Sequence, residues 1–202
     1  MDATGVALAV ATLHKSAFQE FKVFMCGEVV VPIKELKRSL KYSKDKNAPI
    51  ILDFYDNVLK VSIGFIQTEI KLFDARDYKD YEIPELKLDS SFCIDTKLFY
   101  GLIEQVGLVS DYFFMELDSH NLIIRKDRVC AKVPSEILLD IRSDEHVKSQ
   151  YPMHFIKQLK KVSGRFKSLS IELDSDAPMK MSMEDERLRA EIYIAPRIGY
   201  ED

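Results

Sequence analysis

A basic segment of this chain occurs twice, and this repeat constrains the fold more than any other feature. Pro32–Ser43 is matched 120 positions later by Pro152–Ser163, where a proline again precedes lysines and apolar residues. The same offset continues into the residues after each copy and spans about 30 positions. The matched pairs are Leu36 with Ile156, Lys37 with Lys157, Lys41 with Lys161, Ser43 with Ser163, Ile51 with Ile171, Asp56 with Asp176, Lys60 with Lys180 and Ser62 with Ser182. Such an offset indicates an internal duplication, so we expect two related units, each a basic helix followed by strands.

The two units differ at their starts. The second unit begins near Leu86 and places a strand and a helix, Lys97–Val109, ahead of the repeated segment. Subtracting the offset of 120 puts the counterpart of that helix before Met1. We therefore expect the first unit to lack an opening strand–helix–strand piece of about 30 residues. A truncated chain, a start codon further upstream and a shortened natural form would each explain the difference.

Hydrophobic periodicity predicts an α+β chain with antiparallel sheets. In the first unit, strands are predicted at Val6–Leu13, Phe18–Phe24, Glu28–Val31, Ile50–Phe54, Leu59–Ile63 and Ile70–Leu72. A helix begins at Pro32, because proline lacks the N–H that the first turn would leave unpaired. Its apolar stripe comprises Ile33, Leu36 and Leu40. The charged segment Asp74–Glu85 breaks the pattern and is predicted to be an extended connector.

The second unit repeats this order of elements. Strands are predicted at Leu86–Ile94, Tyr112–Leu117, Leu122–Arg125, Arg128–Val133, Ile137–Ile141, Ser168–Leu173, Met179–Met183 and Leu188–Ile194. Asp95 or Thr96 can cap the helix Lys97–Val109. Residues expected to point inward are Leu98, Leu102, Val106 and Val109 of that helix and Phe155, Ile156, Leu159 and Val162 of the second basic helix. The predicted domains are residues 1–73 and 86–202, joined by a connector at 74–85.

The chain carries no recognisable catalytic or metal-binding motif. Its four histidines, at 14, 120, 146 and 154, are far apart, and nucleophile-elbow and phosphate-loop motifs are absent. The three cysteines, at 26, 93 and 130, are scattered, which favours reduced thiols over a disulfide framework. No apolar run approaches the roughly 18 residues of a membrane span. We expect a protein that is not an enzyme, holds no metal or cofactor and does not enter a membrane.

The basic faces of the two repeated helices have two interpretations. A cationic helix face is often merely solvated, but here it recurs at equivalent positions in a chain whose net charge is −4. Clustered cations of this kind suit a phosphate backbone that is bound without reading its sequence. Since no aromatic residues are interleaved with the cations, stacking on single strands is not expected. The candidate DNA-facing residues are Lys34, Lys37, Arg38, Lys41, His154, Lys157, Lys160 and Lys161.

Four stretches resemble those of the DNA polymerase sliding clamp family, proliferating cell nuclear antigen (PCNA), in its archaeal form. They are Met1–Leu8, Leu108–Asp111, Ser175–Lys180 and Ile192–Ile198, so the resemblance runs from Met1 to Ile198 but begins inside the family's first domain. The resemblance implies two similar clamp domains, with antiparallel sheets outside and helices inside, and a ring of three subunits around double-stranded DNA. It implies a processivity factor for replication and repair that lies in the cytoplasm with the nucleoid if archaeal, or in the nucleus if eukaryotic.

The resemblance also implies partners and their sites. DNA polymerase, clamp loader, flap endonuclease and DNA ligase would insert PCNA-interacting peptides into a groove under the connector. The groove positions are Met1, Val6, Leu8, Tyr81, Ile83, Pro178, Tyr193, Ala195 and Pro196. Other clamp subunits, in a homo- or heterotrimer, would join edge strands at Gln67–Phe73 and Arg128–Val133. Gly101 and Glu104 depart from the family, which often has arginines there, so that helix should add little positive potential.

Two alternatives stay open at this point. Tyr81 and Ile83 either fasten the connector to the sheet beneath it or flank the peptide groove. The whole chain is either a working clamp subunit or a regulatory clamp-like interaction protein that does not form a ring, given the short first unit.

Overall fold

The computed structural model of this chain describes residues 6–23, 27–41, 48–77, 83, 85–106 and 111–197. The chain divides into two units, which are considered separately. The large unit comprises Met1–Phe21 and Pro84–Asp202, and the small unit comprises Lys22–Ile83. Within the described residues, no helix is both long and apolar enough to cross a membrane.

Thirteen strands and three α-helices are formed by the described residues. The strands are β1 (Ala7–Leu13), β2 (Ile50–Tyr55), β3 (Val58–Ile63), β4 (Ile66–Lys71), β5 (Ser90–Asp95), β6 (Tyr112–Leu117), β7 (Asn121–Lys126), β8 (Val129–Pro134), β9 (Leu139–Arg142), β10 (Val147–Pro152), β11 (Ser168–Leu173), β12 (Met179–Glu184) and β13 (Leu188–Ile194). The helices are α1 (Ile33–Leu40), α2 (Thr96–Val106) and α3 (Met153–Ser163).

In the large unit, the described residues form two antiparallel sheets. The six-stranded sheet has the order β1-β13-β12-β11-β5-β9, and the four-stranded sheet has the order β10-β6-β7-β8. Along β6, β7, β11 and β12, buried residues alternate with half-buried or exposed ones, as expected for strands with one face on a core. The strand β10 was not predicted, because polar Lys148, Ser149 and Gln150 interrupt the apolar pattern between Val147 and Tyr151.

The core of the large unit includes both of its helices. Buried hydrophobic residues of α2 are Phe99, Tyr100, Ile103 and Val106, whereas Leu98 and Leu102 are only half-buried. The predicted cap is present, because Asp95 Oδ1 accepts a hydrogen bond from the Leu98 N–H at 2.9 Å. The prediction that Val162 points inward is wrong, since this α3 side chain is exposed.

A buried hydrogen bond joins the two helices of the large unit. The Tyr100 hydroxyl lies 2.5 Å from the Ser163 hydroxyl, and Ser163 also donates to the Leu159 carbonyl oxygen. Each hydroxyl therefore has a partner inside the core, where an unpaired one would be costly. This fixes α3, which carries basic residues, relative to α2.

The described residues of the small unit form a three-stranded sheet in the order β2-β3-β4. Its buried cluster comprises Leu59, Val61, Ile63, Ile70 and Leu72, with Val31, Leu36 and Ala48 packed against it. The predicted apolar stripe of α1 is only partly used, because Ile33 and Leu40 are exposed. The predicted strands at Phe18–Phe24 and Glu28–Val31 are absent from the described residues, where a single bridge joins Val30 to Phe73.

One predicted domain boundary and the predicted repeat offset need correction. The strand predicted at Val6–Leu13 is present as β1, but it pairs with β13 along its whole length and so belongs to the large unit, not to a domain of residues 1–73. The offset of 120 holds for Pro32 and Pro152, each of which is the N-cap of its helix. In the strand that follows each helix, the offset is 119 and not 120. Leu52 and Ile171 hold equivalent positions there, because each lies opposite a buried residue on the neighbouring strand.

Candidate nucleic-acid and peptide interfaces

The helix α1 presents its cations to solvent. Lys34, Lys37, Arg38 and Lys41 are all exposed, whereas Leu36 and Ser39 are turned towards the protein. The spacing of three and four residues keeps the cations on the outer part of the helix surface. Lys37 and Arg38 also lie in its last turn, where the helix dipole favours positive charge. The face can therefore contact phosphates without disturbing the core.

The helix α3 presents an equivalent face. Lys157 and Lys161 are exposed, like their counterparts Lys37 and Lys41. His154 is also exposed, and its ring centroid lies 4.0 Å from that of Phe155. Because His154 precedes Lys157 and Lys161 by three and seven residues, the three side chains share one side of the helix.

Lys160 differs from the other predicted cations. Its ammonium group forms an ion pair with the carboxylate of Glu104 on α2. Both side chains are about half exposed, so this pair is screened by solvent and adds little stability. The Glu104 carboxylate does neutralise the charge of Lys160 locally. The helix α2 therefore reduces the positive potential of α3. The departure from the family's arginines at Gly101 and Glu104 predicts little positive potential on α2, and the structure adds that Glu104 acts on Lys160 of α3.

A second candidate site lies at one end of the six-stranded sheet. Leu8 and Tyr193 are directly opposite each other in the β1–β13 pair, and both are buried. Their neighbours Ile192 and Ile194 belong to the core, so by the alternation of strand side chains Tyr193 lies on the other face of the sheet. Predicted groove residues that are half-buried in the same unit are Val6, Pro178, Ala195 and Pro196.

Hydrogen bonds fix the chain segments beside Tyr193. The Ala195 N–H donates to the Val6 carbonyl oxygen at 2.8 Å, and the Arg197 N–H donates to the Gln150 carbonyl oxygen at 2.8 Å. The segment after β13 is thus held to both sheets of the large unit. The Tyr151 hydroxyl donates to the Ala177 carbonyl oxygen at 3.0 Å and so holds the turn that precedes Pro178. Tyr151 and Gln150 were missed because they lie on β10, the strand that the pattern did not indicate.

Charged groups border this apolar region. Lys180, the residue opposite Tyr193 on β12, lies 3.1 Å from Glu172 and 3.4 Å from Glu191. Burial lowers the pKa of Lys180, but the hydrogen bond that its ammonium group donates to Glu172 and the charges of both glutamates outweigh burial, so the pKa is raised. Burial, followed by the charge of Glu191, raises the pKa of the Tyr193 hydroxyl. Tyr193 therefore stays neutral at physiological pH and offers a ring and a hydroxyl donor.

The remaining predicted residues and segments lie outside the two sites described above. Met1 and Tyr81 lie outside the described residues, and Ile83 is exposed in the small unit. The two predicted subunit-contact segments correspond to β4 and β8, each of which is the last strand of its sheet. Among the residues that the structure describes, no group of three or more His, Cys, Asp or Glu side chains is arranged to hold a metal ion.

Sequence relatives named DNA polymerase sliding clamp match nearly the whole of this chain. The DNA polymerase sliding clamp of Pyrococcus furiosus is 24% identical over 209 residues, which cover 98% of this chain and 83% of the relative. The DNA polymerase sliding clamp of Archaeoglobus fulgidus is 24% identical over 211 residues, covering 100% of this chain and 84% of the relative. No family model matches. The resemblance to sliding clamps that was read from short motifs is therefore confirmed along nearly the whole chain.

Solved structures give the same fold. A. fulgidus PCNA, in a structure described as having the C-terminal region of FEN-1 bound to it, superposes with a TM-score of 0.88 at 22% identity, covering 99% of this chain and 84% of that chain. PCNA from Thermococcus kodakaraensis gives a TM-score of 0.83 at 20% identity, covering 98% of this chain and 84% of that chain. These likenesses confirm the predicted α+β clamp fold with antiparallel sheets.

Proposed function

We propose that this chain is a subunit of a DNA sliding clamp, a processivity factor that surrounds duplex DNA and tethers replication and repair enzymes. The observation that carries the proposal is the recurrence of an exposed cationic helix face at matching positions in the two repeated units. The name that relatives matching at least 98% of the chain carry, DNA polymerase sliding clamp, supports duplex DNA as the ligand of this face. The subunit has no catalytic role and acts where the DNA is, in the nucleoid of an archaeal cell or the nucleus of a eukaryotic one.

The cationic faces would act by weak contacts with phosphates. Lysine ammonium groups on flexible stems attract a phosphate wherever it lies, so they hold the backbone without fixing a register. Each contact releases condensed counterions, which makes the attraction sensitive to salt and independent of sequence. Several such contacts, spread over α1 and α3, suit a ring that must stay on DNA and still slide. Enclosure by the ring, and not tight binding, would then provide processivity.

The apolar region around Leu8 and Tyr193 would receive the partner enzymes. An extended peptide with apolar and aromatic side chains would cover Val6, Leu8 and Pro178, and the Tyr193 ring would pack against it. The relative with the C-terminal region of FEN-1 bound supports a peptide of this type. DNA polymerase, clamp loader, flap endonuclease and DNA ligase are the expected sources.

Ring closure would use strands at the sheet edges. Among the described residues β4 and β8 are the outermost strands of their sheets, and such edges pair readily with another chain. Pairing β4 of one subunit with β8 of the next would join subunits head to tail into a closed ring. Both edges lie within the described part of the chain, so the contact does not depend on residues before β1.

Retention on circular DNA tests the proposal. The protein, with clamp loader and ATP, is loaded onto nicked circular duplex DNA, and the fraction that elutes with DNA is measured before and after the circle is cut. We expect retention on circles and rapid loss after linearisation, because a ring slides off an end. Equal loss from both DNA forms would contradict a topological link.

A second candidate function is a clamp-like interaction protein that forms no ring. The observation in its favour is the exposed apolar surface of β2 in the small unit, which marks an incompletely covered core. Mass measurement in solution, alone and with candidate partner subunits, separates the two functions. A mass of three subunits supports the clamp, and a monomer under all conditions supports the alternative.

A further inference from the structure

The outer face of the four-stranded sheet carries two aromatic rings that have no place in the proposed function. Tyr112 and Phe114 alternate along β6 with Phe113 and Met115, which belong to the core, so both rings lie on the face turned away from the core. The two side chains are half-buried, and their ring centroids lie 6.4 Å apart in an edge-to-face arrangement. This ring pair is the floor of a candidate site on the large unit.

Two cations lie over the Tyr112 ring. The Lys126 ammonium nitrogen is 3.2 Å from the ring centroid, and the Arg197 guanidinium carbon is 4.7 Å from it. The Lys126 side chain is only 8% exposed, and its nitrogen also lies 3.3 Å from the Asp127 carboxylate. Because a buried ammonium group is costly without such contacts, the ring and the carboxylate hold this lysine in place.

Two more cations lie over the Phe114 ring. The Arg125 guanidinium carbon is 4.6 Å from the ring centroid, and the Lys148 ammonium nitrogen is 5.0 Å from it. Arg125 also donates a hydrogen bond to the Glu116 carboxylate at 2.5 Å. A ring face attracts a cation but adds no net charge, so stacking on the rings gathers positive charge without neutralising it. We call the two rings and these four cations the basic–aromatic cluster.

The basic–aromatic cluster borders the apolar region proposed to receive partner peptides. Arg197 directly follows Pro196 in the segment after β13. The Lys148 backbone N–H donates to the Ser175 hydroxyl at 3.3 Å, in the turn that leads to Pro178. Two of the four cations are thus attached to segments that carry predicted groove residues. A peptide seated in the groove would pass its flanking residues beside the cluster.

The position of the cluster decides which kind of anion it would meet. The helices α2 and α3 contact the four-stranded sheet from its core side, whereas the cluster lies on the outer face of that sheet. The exposed cations of α3 and the cluster therefore lie on opposite sides of the core, and a duplex bound to α3 would not reach both. A flank of a peptide in the neighbouring groove meets no such barrier. The position favours acidic side chains of a protein over nucleic acid.

The spacing of the rings defines a pattern of acids. An extended chain rises about 3.3 Å per residue, so side chains two residues apart project on the same side about 6.6 Å from each other. This spacing matches the 6.4 Å between the centroids of Tyr112 and Phe114. One carboxylate would then meet the cations over Tyr112 while the second meets the cations over Phe114. The residue between the two acids would point away from the sheet.

We propose that the basic–aromatic cluster binds an acid–x–acid segment, in which x is any residue, that flanks the apolar peptide of a partner enzyme. The proposal rests on the proposed partner groove, because the groove would bring the flank beside Arg197. Peptides with the same apolar side chains would differ in affinity according to this flank. The cluster would thus select among partners, whereas the apolar region around Leu8 and Tyr193 provides binding that all of them share.

Peptide titrations test this selection. The probe is the C-terminal region of FEN-1 that is bound to A. fulgidus PCNA in the similar structure. It is labelled and extended, at either end, with Glu-Ser-Glu or Gln-Ser-Gln through a four-residue glycine–serine linker. Fluorescence anisotropy with the full-length protein measures affinity. At one of the two ends, the acidic flank should tighten binding about tenfold at low salt relative to the neutral flank, and added salt should reduce this gain.

Charge removal assigns the gain to the cluster. Lys148→Gln combined with Arg197→Gln should abolish the difference between acidic and neutral peptides and leave binding of the neutral peptide unchanged. Arg165→Gln is the matched control, because Arg165 also lies over a ring, that of Phe166, and should keep the difference. Equal binding of both peptides by the unchanged protein would overturn the acidic selection alone. Failure of both to bind would overturn the partner groove and this proposal with it.

Zero-length cross-linking locates the flank in the unchanged protein. A carbodiimide joins a carboxylate to an amine in direct contact, and mass spectrometry should find the acidic flank joined to Lys148 and not to Lys157 or Lys161 of α3. The double variant at residues 148 and 197 should bind duplex DNA as the unchanged protein does. Cross-links confined to α3, or a loss of duplex binding as large as the loss of peptide binding, would overturn the proposal.

Discussion

The two units of this chain use one repeated sequence theme but differ in how far they bury it. In the large unit, two helices and two sheets enclose a core in which Leu169, Ile171 and Leu173 have no contact with water. In the small unit, one helix covers β3 and β4 while the equivalent apolar residues of β2 are exposed. The lesson is that a hydrophobic pattern shows which residues can be buried, but burial depends on a neighbouring element to cover them.

The largest expected effect comes from truncating the equivalent core-facing residues of the two units, Ile171 and Leu52. Ile171→Ala should lower the free energy of unfolding by about 2–5 kcal/mol, because it opens a cavity in a closed core. Leu52→Ala should cost less than about 1 kcal/mol, because this side chain is already partly in water. Urea unfolding measures both, and Phe65→Ala serves as the control for an exposed position. Equal losses at residues 52 and 171 would show that β2 is covered after all.

The next effect concerns the two cationic faces. If both face DNA, Lys37→Ala with Lys41→Ala should weaken duplex binding about as much as Lys157→Ala with Lys161→Ala. Each pair removes two phosphate contacts, so the slope of log K against log salt should become shallower by about 1.8. Anisotropy titrations with labelled duplex at several KCl concentrations measure this slope, and binding of a partner peptide should not change. A loss from only one pair would assign DNA contact to that unit alone.

A smaller effect, an increase in duplex binding, is expected from replacing the acidic residue Glu104 on α2. Glu104→Gln keeps the shape of the side chain and removes the charge that neutralises Lys160. Duplex binding should become a few-fold tighter at low salt, and the salt slope should steepen by up to about 0.9. The double variant with Lys160→Ala should lose this gain. Tighter binding that persists in the double variant would mean that Glu104 acts on DNA directly.

The smallest effect compares two aspartates at turns, one in each unit. Side-chain and backbone hydrogen bonds from Arg76 lower the pKa of Asp74 to about 2. The backbone N–H of Arg187, opposed by burial, and that of Leu188 lower the pKa of Asp185. A lowered pKa in the folded state stabilises the protein above the unfolded value near 3.8, and this stabilisation is lost as the pH falls towards 2.

Asp74→Asn and Asp185→Asn should therefore each reduce stability slightly at neutral pH and have little effect near pH 2. Urea midpoints across this pH range measure the difference, and NMR titration of the two carboxyl groups in the unchanged protein gives their pKa values directly. Ordinary pKa values at both sites would contradict the hydrogen bonds assigned to them.

Much of the fold could be predicted because its signals are local. The alternation in Tyr112–Leu117 and Ser168–Leu173 gave strand bounds identical to those observed, since side chains two residues apart share a face. The basic faces of α1 and α3 followed from spacings of three and four residues. The strand β10 and the role of Tyr151 could not be found in this way, because the polar residues Ser149 and Gln150 are buried in a strand that pairs with β6, about 35 residues earlier in the chain.

By itself, the sequence determined the duplication, the order of most strands and helices, and the exposed cations at equivalent helix positions, because each depends on periodicity within a short segment. The tertiary structure alone decided that β1 belongs to the large unit, since it pairs with β13 at the other end of the chain. It also decided that Glu104 neutralises Lys160 and that β2 is left uncovered. These outcomes depend on which distant segments come together, and residue spacing along one segment carries no information about them.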